Sequence, residues 1–198
     1  MSKFTRIISS GSYLPEKILT NRELEGIVDT TDKWITERTG IKERRVSSDD
    51  ETSVDMAYQA SIDAIEKSGL KKDEIGAIFL ATCTPERKFP STAVLLQNRL
   101  NIKNAFSVDL NAACTGFVYA LDIAKKYIES EQVKYALVVG TEKITSLLDW
   151  TDRNTCVLFG DGAGAMIVGS SDTAGILSST IGSDGSYKYL LTVNTDLE

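Results

Sequence analysis

The stretch Ala105-Phe106-Ser107-Val108-Asp109-Leu110-Asn111-Ala112-Ala113-Cys114-Thr115-Gly116-Phe117-Val118-Tyr119-Ala120-Leu121 changes its pattern midway. Residues 105–110 read as a strand. A run of small residues follows, from Asn111 to Cys114. After it, Phe117, Val118, Leu121, Ala124 and Ile128 recur at the spacing of one helical face. Lys134 to Val139 is then an apolar strand ending at Gly140. Strand, helix, strand is a βαβ unit. It implies parallel strands in a sheet covered by helices.

Working outward, the pattern continues. Ile75 to Ala81 is a short apolar strand, and Ser91 opens a helix bearing Val94, Leu95 and Leu100. Thr52-Ser53-Val54-Asp55 fits a capping box, and its helix carries Ala57, Ala60, Ala64 and Ile65 to a stop at Gly69. Lys3 to Ser10 reads as a first strand, closed by Gly11 and Pro15. Asn21 is the expected cap of a short helix with Leu24, Ile27 and Val28. Thr31 or Asp32 caps another, through Trp34 and Ile35 to Gly40. The charged stretch from Lys42 to Glu51 reads as a surface loop. Thr155 to Ile181 reads as strands around Gly160-Asp161-Gly162-Ala163-Gly164, an antiparallel addition to the sheet. The expected class is therefore α/β, a central mixed sheet flanked by helices, with no internal repeat or low-complexity linker.

The 198 residues are 42% hydrophobic and 25% charged, as in a globular protein. The net charge of −6 argues against general nucleic-acid binding, which wants a basic face. No apolar run reaches membrane-spanning or signal-peptide length, so a cytoplasmic protein is expected. Cys83, Cys114 and Cys156 are widely spaced and contain no CxxC pair, which argues against a metal site and for free thiols. Histidine is absent. Any Cys–His or Ser–His pair must take its imidazole from another chain or from further sequence.

Cys114 follows a strand and sits near a helix start. Unpaired N–H groups and a partial positive charge gather there. They activate a thiol and stabilise an oxyanion formed when sulfur attacks an acyl carbonyl. The small neighbours Ala112, Ala113 and Gly116 let a substrate approach. Acyl transfer to sulfur follows from this placement. The other reading is a packed cysteine acting as a small hydrophobe. Cys83 and Cys156, in apolar strand-like stretches, are expected in the core. The glycines at 160, 162 and 164 form neither a GxGxxG motif nor a P-loop. They suit a tight bend and close backbone approach, so no cofactor is assigned to them.

Asn111-Ala112-Ala113-Cys114-Thr115-Gly116-Phe117 resembles the nucleophile motif of β-ketoacyl-acyl carrier protein synthase III, a thiolase-like condensing enzyme. Other blocks match in order: Gly11 to Pro15, Val28 to Ile35, Arg38 to Ile41, Phe89-Pro90-Ser91, Tyr135 to Gly140, Thr151-Asp152-Arg153 and Phe159 to Gly164. The resemblance implies that Cys114 is the acylated nucleophile. Trp34 and Arg153 would sandwich the adenine of coenzyme A, Arg38 would meet its phosphates, and Thr30 would add a polar contact. Phe159 would line the acyl pocket, and Phe89 would reach into a partner subunit's pocket, which implies a homodimer. Without the resemblance, Trp34 is a core or rim aromatic, Arg38 and Arg153 are solvated charges, and Phe89 and Phe159 are packing residues.

The family's fold is a duplicated thiolase-like arrangement. On this resemblance, residues 1–198 are its N-terminal half, and the half bearing histidine and asparagine is absent. The implied substrates are acyl-coenzyme A and malonyl-acyl carrier protein, with coenzyme A a substrate and not a cofactor. A half alone is expected to be inactive and sticky. Two other function classes remain at this point: a non-catalytic coenzyme A- or acyl-binding module, and an assembly protein whose cysteine is only packed.

Overall fold

The computed structural model describes residues 4–193. Lys3, the expected first residue of the first strand, lies outside them, as do Asp196, Leu197 and Glu198 at the chain's end. Among the described residues there are seven strands: β1 Phe4–Tyr13, β2 Lys17–Thr20, β3 Glu43–Val46, β4 Ile75–Ala81, β5 Phe106–Leu110, β6 Tyr135–Glu142 and β7 Gly162–Ser171. Five α-helices accompany them: α1 Asn21–Leu24, α2 Asp32–Thr39, α3 Ser53–Ser68, α4 Thr92–Leu100 and α5 Gly116–Glu129. Five strands form one sheet in the order β1-β7-β6-β4-β5, and β2 and β3 pair separately. β4 runs parallel to β5 and β6, whereas β7 is antiparallel to β6 and β1. This is the expected mixed sheet with its late antiparallel addition. Among the described residues no helix is long and apolar enough to cross a membrane.

The central strands are apolar throughout because both faces are covered. Along β4, Ile78 and Leu80 pack with α3 and α4, while Ala77 and Phe79 pack with α5. Leu137 and Val139 of β6 join the first layer, and Ala136 and Val138 the second. A third cluster, Leu19, Leu24, Ile35, Cys156 and Val157, lies by the β2–β3 pair with Trp34 and Trp150 half-buried against it.

Local signals set the helix ends. Thr52 and Asp55 form the expected capping box on α3, which ends at Gly69 with φ 70°. Thr31 caps α2, which ends at Gly40 with φ 73°. Thr20, and not Asn21, caps α1. Asn21 is buried, and its amide donates to Asp32 and to the Ile41 carbonyl instead. The 42–51 segment is not all loop: Glu43–Val46 pairs with β2, so its charges alternate around a strand. The 155–181 stretch contains a single strand, β7. Residues 172–184 run irregularly across α5, held by Ser179 donating to Asp122 and Tyr119 donating to the Gly182 carbonyl. Cys83 and Cys156 lie in no strand. Cys156 is buried, but Cys83 is only half-buried in the loop after β4.

Candidate functional site

The register aligns Ala81 with both Leu110 and Gly140, so β4, β5 and β6 end together. The residues just beyond them gather at the carboxyl edge of the sheet. In open α/β sheets this edge is where ligands bind. Cys114 stands there, exposed, in a 3-10 turn spanning Ala113–Thr115. Ala113 holds φ 45°, a left-handed conformation rare for alanine, and this sharp turn carries the strand directly into α5. The start of α5 has no side-chain cap and no acidic residue in its first turn. The Gly116 N–H is taken by the Ala113 carbonyl, and the partial positive charge of the helix start faces an anion or a developing oxyanion beside the thiol.

Two carboxylates that reading the sequence passed over build the walls. Glu142 ends β6. It accepts from the Cys83 N–H at 2.8 Å and from the Thr84 hydroxyl at 2.6 Å, which draws the loop after β4 toward the β6 end. Burial, and then the charge of Glu142, push the Cys83 thiol up to about 11. Asp109, in β5, accepts from the N–H groups of Thr92 and Ala93 at 2.8 and 2.7 Å, so it caps α4 from another element. Between these anchors runs the 83–91 segment, with Phe89 at its tip and 84% exposed. Asp109→Ala removes two charge-assisted bonds at a helix start. We expect it to lower stability by about 2–3 kcal/mol, read as a lower urea midpoint at unchanged slope. A signal existed for both residues: an acid within or closing an otherwise apolar strand.

A crevice of about 370 Å³ opens next to this edge, lined by Ser53, Cys83, Thr84, Lys143 and Leu147 among others. The Lys143 ammonium closes one side. It donates to the carbonyls of Ser48, Asp49 and Glu51 at 2.8, 3.1 and 2.8 Å.

A second feature lies over the β2–β3 module. Trp34, on α2, has the Arg38 guanidinium carbon 4.5 Å and that of Arg153 4.6 Å from its ring centroid. Arg38 follows Trp34 by one helical turn. Arg153 comes from a distant loop and donates to the Asp29 carbonyl at 3.0 Å. The Thr30 hydroxyl is buried with no hydrogen-bond partner. Trp34, Arg38, Arg153 and the Asp29–Thr30 segment are thus brought together, whereas Cys114 lies at the sheet edge. Phe159 is half-buried in the loop before β7, and Phe89 stands exposed. Of the three glycines, Gly160 fits the close-approach reading, whereas Gly164 lies within β7 with open space where a Cβ would be. A Cβ on Gly160 would sit 2.9 Å from the Arg45 carbonyl, so glycine is needed for close approach.

The family model described as 3-oxoacyl-[acyl-carrier-protein] synthase III matches residues 108–185, which include Cys114, Arg153 and Phe159. A β-ketoacyl-[acyl-carrier-protein] synthase III from Xanthomonas oryzae pv. oryzae is 54% identical over 193 residues, covering 96% of this chain and 59% of the relative. One from Clostridium acetobutylicum is 52% identical, covering 93% and 57%. Among solved structures, 3-oxoacyl-[acyl-carrier-protein] synthase III from Aquifex aeolicus aligns with TM-score 0.83 and 53% identity, over 85% of this chain and 55% of that one. The synthase III from Thermus thermophilus aligns with TM-score 0.88 and 42% identity, over 92% and 57%. With sheet order, motif blocks and these similarities in agreement, the chain is a thiolase-like homologue of the β-ketoacyl-acyl carrier protein synthase III family, spanning about 59% of the length of its curated relatives.

Proposed function

We propose that residues 1–198 are the nucleophile-bearing N-terminal half of a cytoplasmic initiating condensing enzyme of fatty-acid synthesis. The observation that carries this reading is Cys114, exposed on the strained Ala113 turn at the uncapped start of α5. In the first step its sulfur attacks the thioester carbonyl of acyl-coenzyme A, with acetyl the expected acyl group. The N–H groups at the start of α5 stabilise the oxyanion. The carbon–sulfur bond to coenzyme A breaks, and coenzyme A leaves as the thiol. In the second step malonyl-acyl carrier protein loses carbon dioxide. Its carbanion attacks the acyl group on Cys114 and forms 3-oxoacyl-acyl carrier protein, freeing the sulfur. That step needs hydrogen-bond donors to the developing enolate. The expected histidine donor has no counterpart in a chain without histidine.

Coenzyme A is the ligand proposed for the Trp34 cluster. An indole face and a guanidinium plane stack on a purine, and Arg38 suits its phosphates. With Arg153 in direct contact with Trp34, an adenine enters between them only after Arg153 swings outward. That motion gives up its bond to the carbonyl of Asp29, the residue before the unpartnered Thr30 hydroxyl. Trp34→Ala is expected to weaken coenzyme A binding by about ten- to a hundredfold, as loss of one base–aromatic stack does. Calorimetric titration with coenzyme A checks it, and unchanged affinity removes Trp34 from the site.

Phe89, projecting on its anchored segment, is proposed to enter a second copy of the chain in a homodimer, with Phe159 lining the acyl pocket. Leu177, Tyr189 and Leu190 are each about 80% exposed, and we propose that the remaining half of the enzyme covers them. The test of the whole reading is incubation with acetyl-coenzyme A followed by intact-mass measurement. Gain of one acetyl group supports it. No gain, even with the missing segment supplied, overturns it.

A further inference from the structure

Two thiols, not one, stand at the carboxyl edge of the sheet. Ala81 and Leu110 are register partners, and the Thr82 N–H donates to the Leu110 carbonyl at 3.2 Å. Beyond Leu110 the chain turns back. The Thr115 N–H donates to the Ala112 carbonyl at 3.2 Å, and Gly116 lies so near Ala81 that a Cβ there would be 3.1 Å from the Ala81 Cβ. Cys83 is two residues past Ala81, and Cys114 is two residues before Gly116. Both therefore flank the same contact. A disulfide needs Cα atoms within about 7 Å, and the close approach of Gly116 to Ala81, each two residues from one of the cysteines, draws their two segments together.

We propose that Cys83 is the resolving thiol of Cys114, so that a hydroperoxide converts the pair to a reversible Cys83–Cys114 disulfide. This rests on the reading of Cys114 as a reactive nucleophile. The order of events follows from the surroundings. Cys114 is exposed, whereas Cys83 is half-buried beside Glu142 and stays a thiol until a sulfur is offered to it. The Cys114 sulfur attacks hydrogen peroxide, the O–O bond breaks, and Cys114 becomes a sulfenic acid with release of one water. The Cys83 sulfur then attacks the Cys114 sulfur and the S–O bond breaks. The departing hydroxide takes up the Cys83 proton, passed through the Glu142 carboxylate, and leaves as a second water. Peroxide is reduced by two electrons, and two thiols become one disulfide. The consequence is protective: acyl transfer stops, and the nucleophile is kept from irreversible oxidation. Cys156, buried elsewhere, takes no part.

The test treats the full chain with hydrogen peroxide, then maps peptides without reductant. The expected product links the Cys83 and Cys114 peptides, two hydrogens short, and dithiothreitol restores both thiols. In Cys83→Ser, Cys114 should instead pass to sulfinic acid that dithiothreitol cannot recover, at least about tenfold more than in the parent chain. In Cys114→Ser, Cys83 should remain reduced at the same dose. Equal irreversible oxidation of Cys114 in the parent and in Cys83→Ser, with no linked peptide, overturns the proposal. An iodoacetamide control separates the two failures. If Cys114 is alkylated but never linked, the pair alone falls. If it resists both reagents, the nucleophile reading falls with it.

Discussion

Cys114→Ala is expected to abolish acetyl transfer from acetyl-coenzyme A, with the rate of labelling reduced at least about a thousandfold, as when a nucleophile is removed elsewhere. The loss should be complete because no other thiol can substitute. Cys156 is buried in the cluster beside the β2–β3 pair. Cys83 is close by, but burial and Glu142 hold its thiol at about 11, leaving almost no thiolate near neutral pH. Intact mass after incubation reads the result directly. Calorimetric titration of the same variant should show coenzyme A affinity within about threefold of the parent, since Trp34, Arg38 and Arg153 are untouched. Retained acetylation of the variant would place the acceptor elsewhere and sink the assignment. If both chains bind coenzyme A but neither is acylated, the chain is a binding module.

Asp161→Ala is expected to be the most damaging single change to the fold described here. Asp161 is 4% exposed, and its carboxylate accepts four hydrogen bonds. Two come from the Ser47 N–H and hydroxyl at 2.8 and 2.7 Å, and two from the Thr145 N–H and hydroxyl at 2.9 and 2.6 Å. Ser47 follows β3 and Thr145 follows β6, so one carboxylate joins the Trp34 module to the main sheet. Alanine leaves buried donors unpaired, which costs about 3–5 kcal/mol, a large share of the stability of an ordinary domain. Urea unfolding should show a lower midpoint at unchanged slope, with Asp161→Asn falling between because an amide can accept only part of the set. A midpoint within about 1 kcal/mol of the parent would show that water or neighbouring groups replace the carboxylate. The same variant should loosen the loop that carries Phe159, and with it the β2–β3 module that supports Trp34.

These residues also mark where reading the sequence stopped. The turn at Cys114, the capping box at Thr52 and the stops at Gly40 and Gly69 were legible, because each depends on neighbours within one turn. Ile75–Ala81 was legible as a strand because an apolar run of that length needs two covered faces. Strand β3 was missed because its charges, Glu43, Arg44 and Arg45, hid a pairing with β2. Arg44 is in fact buried, donating to the Leu19 and Val157 carbonyls and to Asn21. Cys83 was placed in the core because cysteine beside an apolar strand is commonly buried, whereas the loop after β4 leaves it half-buried.

By itself the sequence determined the alternation of strands and helices, the strand-to-helix turn that presents Cys114, and the ordered blocks that tie the chain to its family. All of these are local patterns, encoded by residues close along the chain. The tertiary structure alone decided that Glu142 would hold Cys83, that Asp109 would cap α4, that Asp161 would join two modules, and that Arg153 would lie against Trp34. Those partners are separated by 59, 17 and 114 positions in the first three cases. Glu142 meets Cys83 because the sheet is ordered β1-β7-β6-β4-β5, which brings the ends of β4, β5 and β6 to one edge. Hydrophobic period sets which face of a strand is buried, but it carries no record of which strand lies beside it. Only packing the whole chain settles that, and with it which polar groups must find one another once water is excluded.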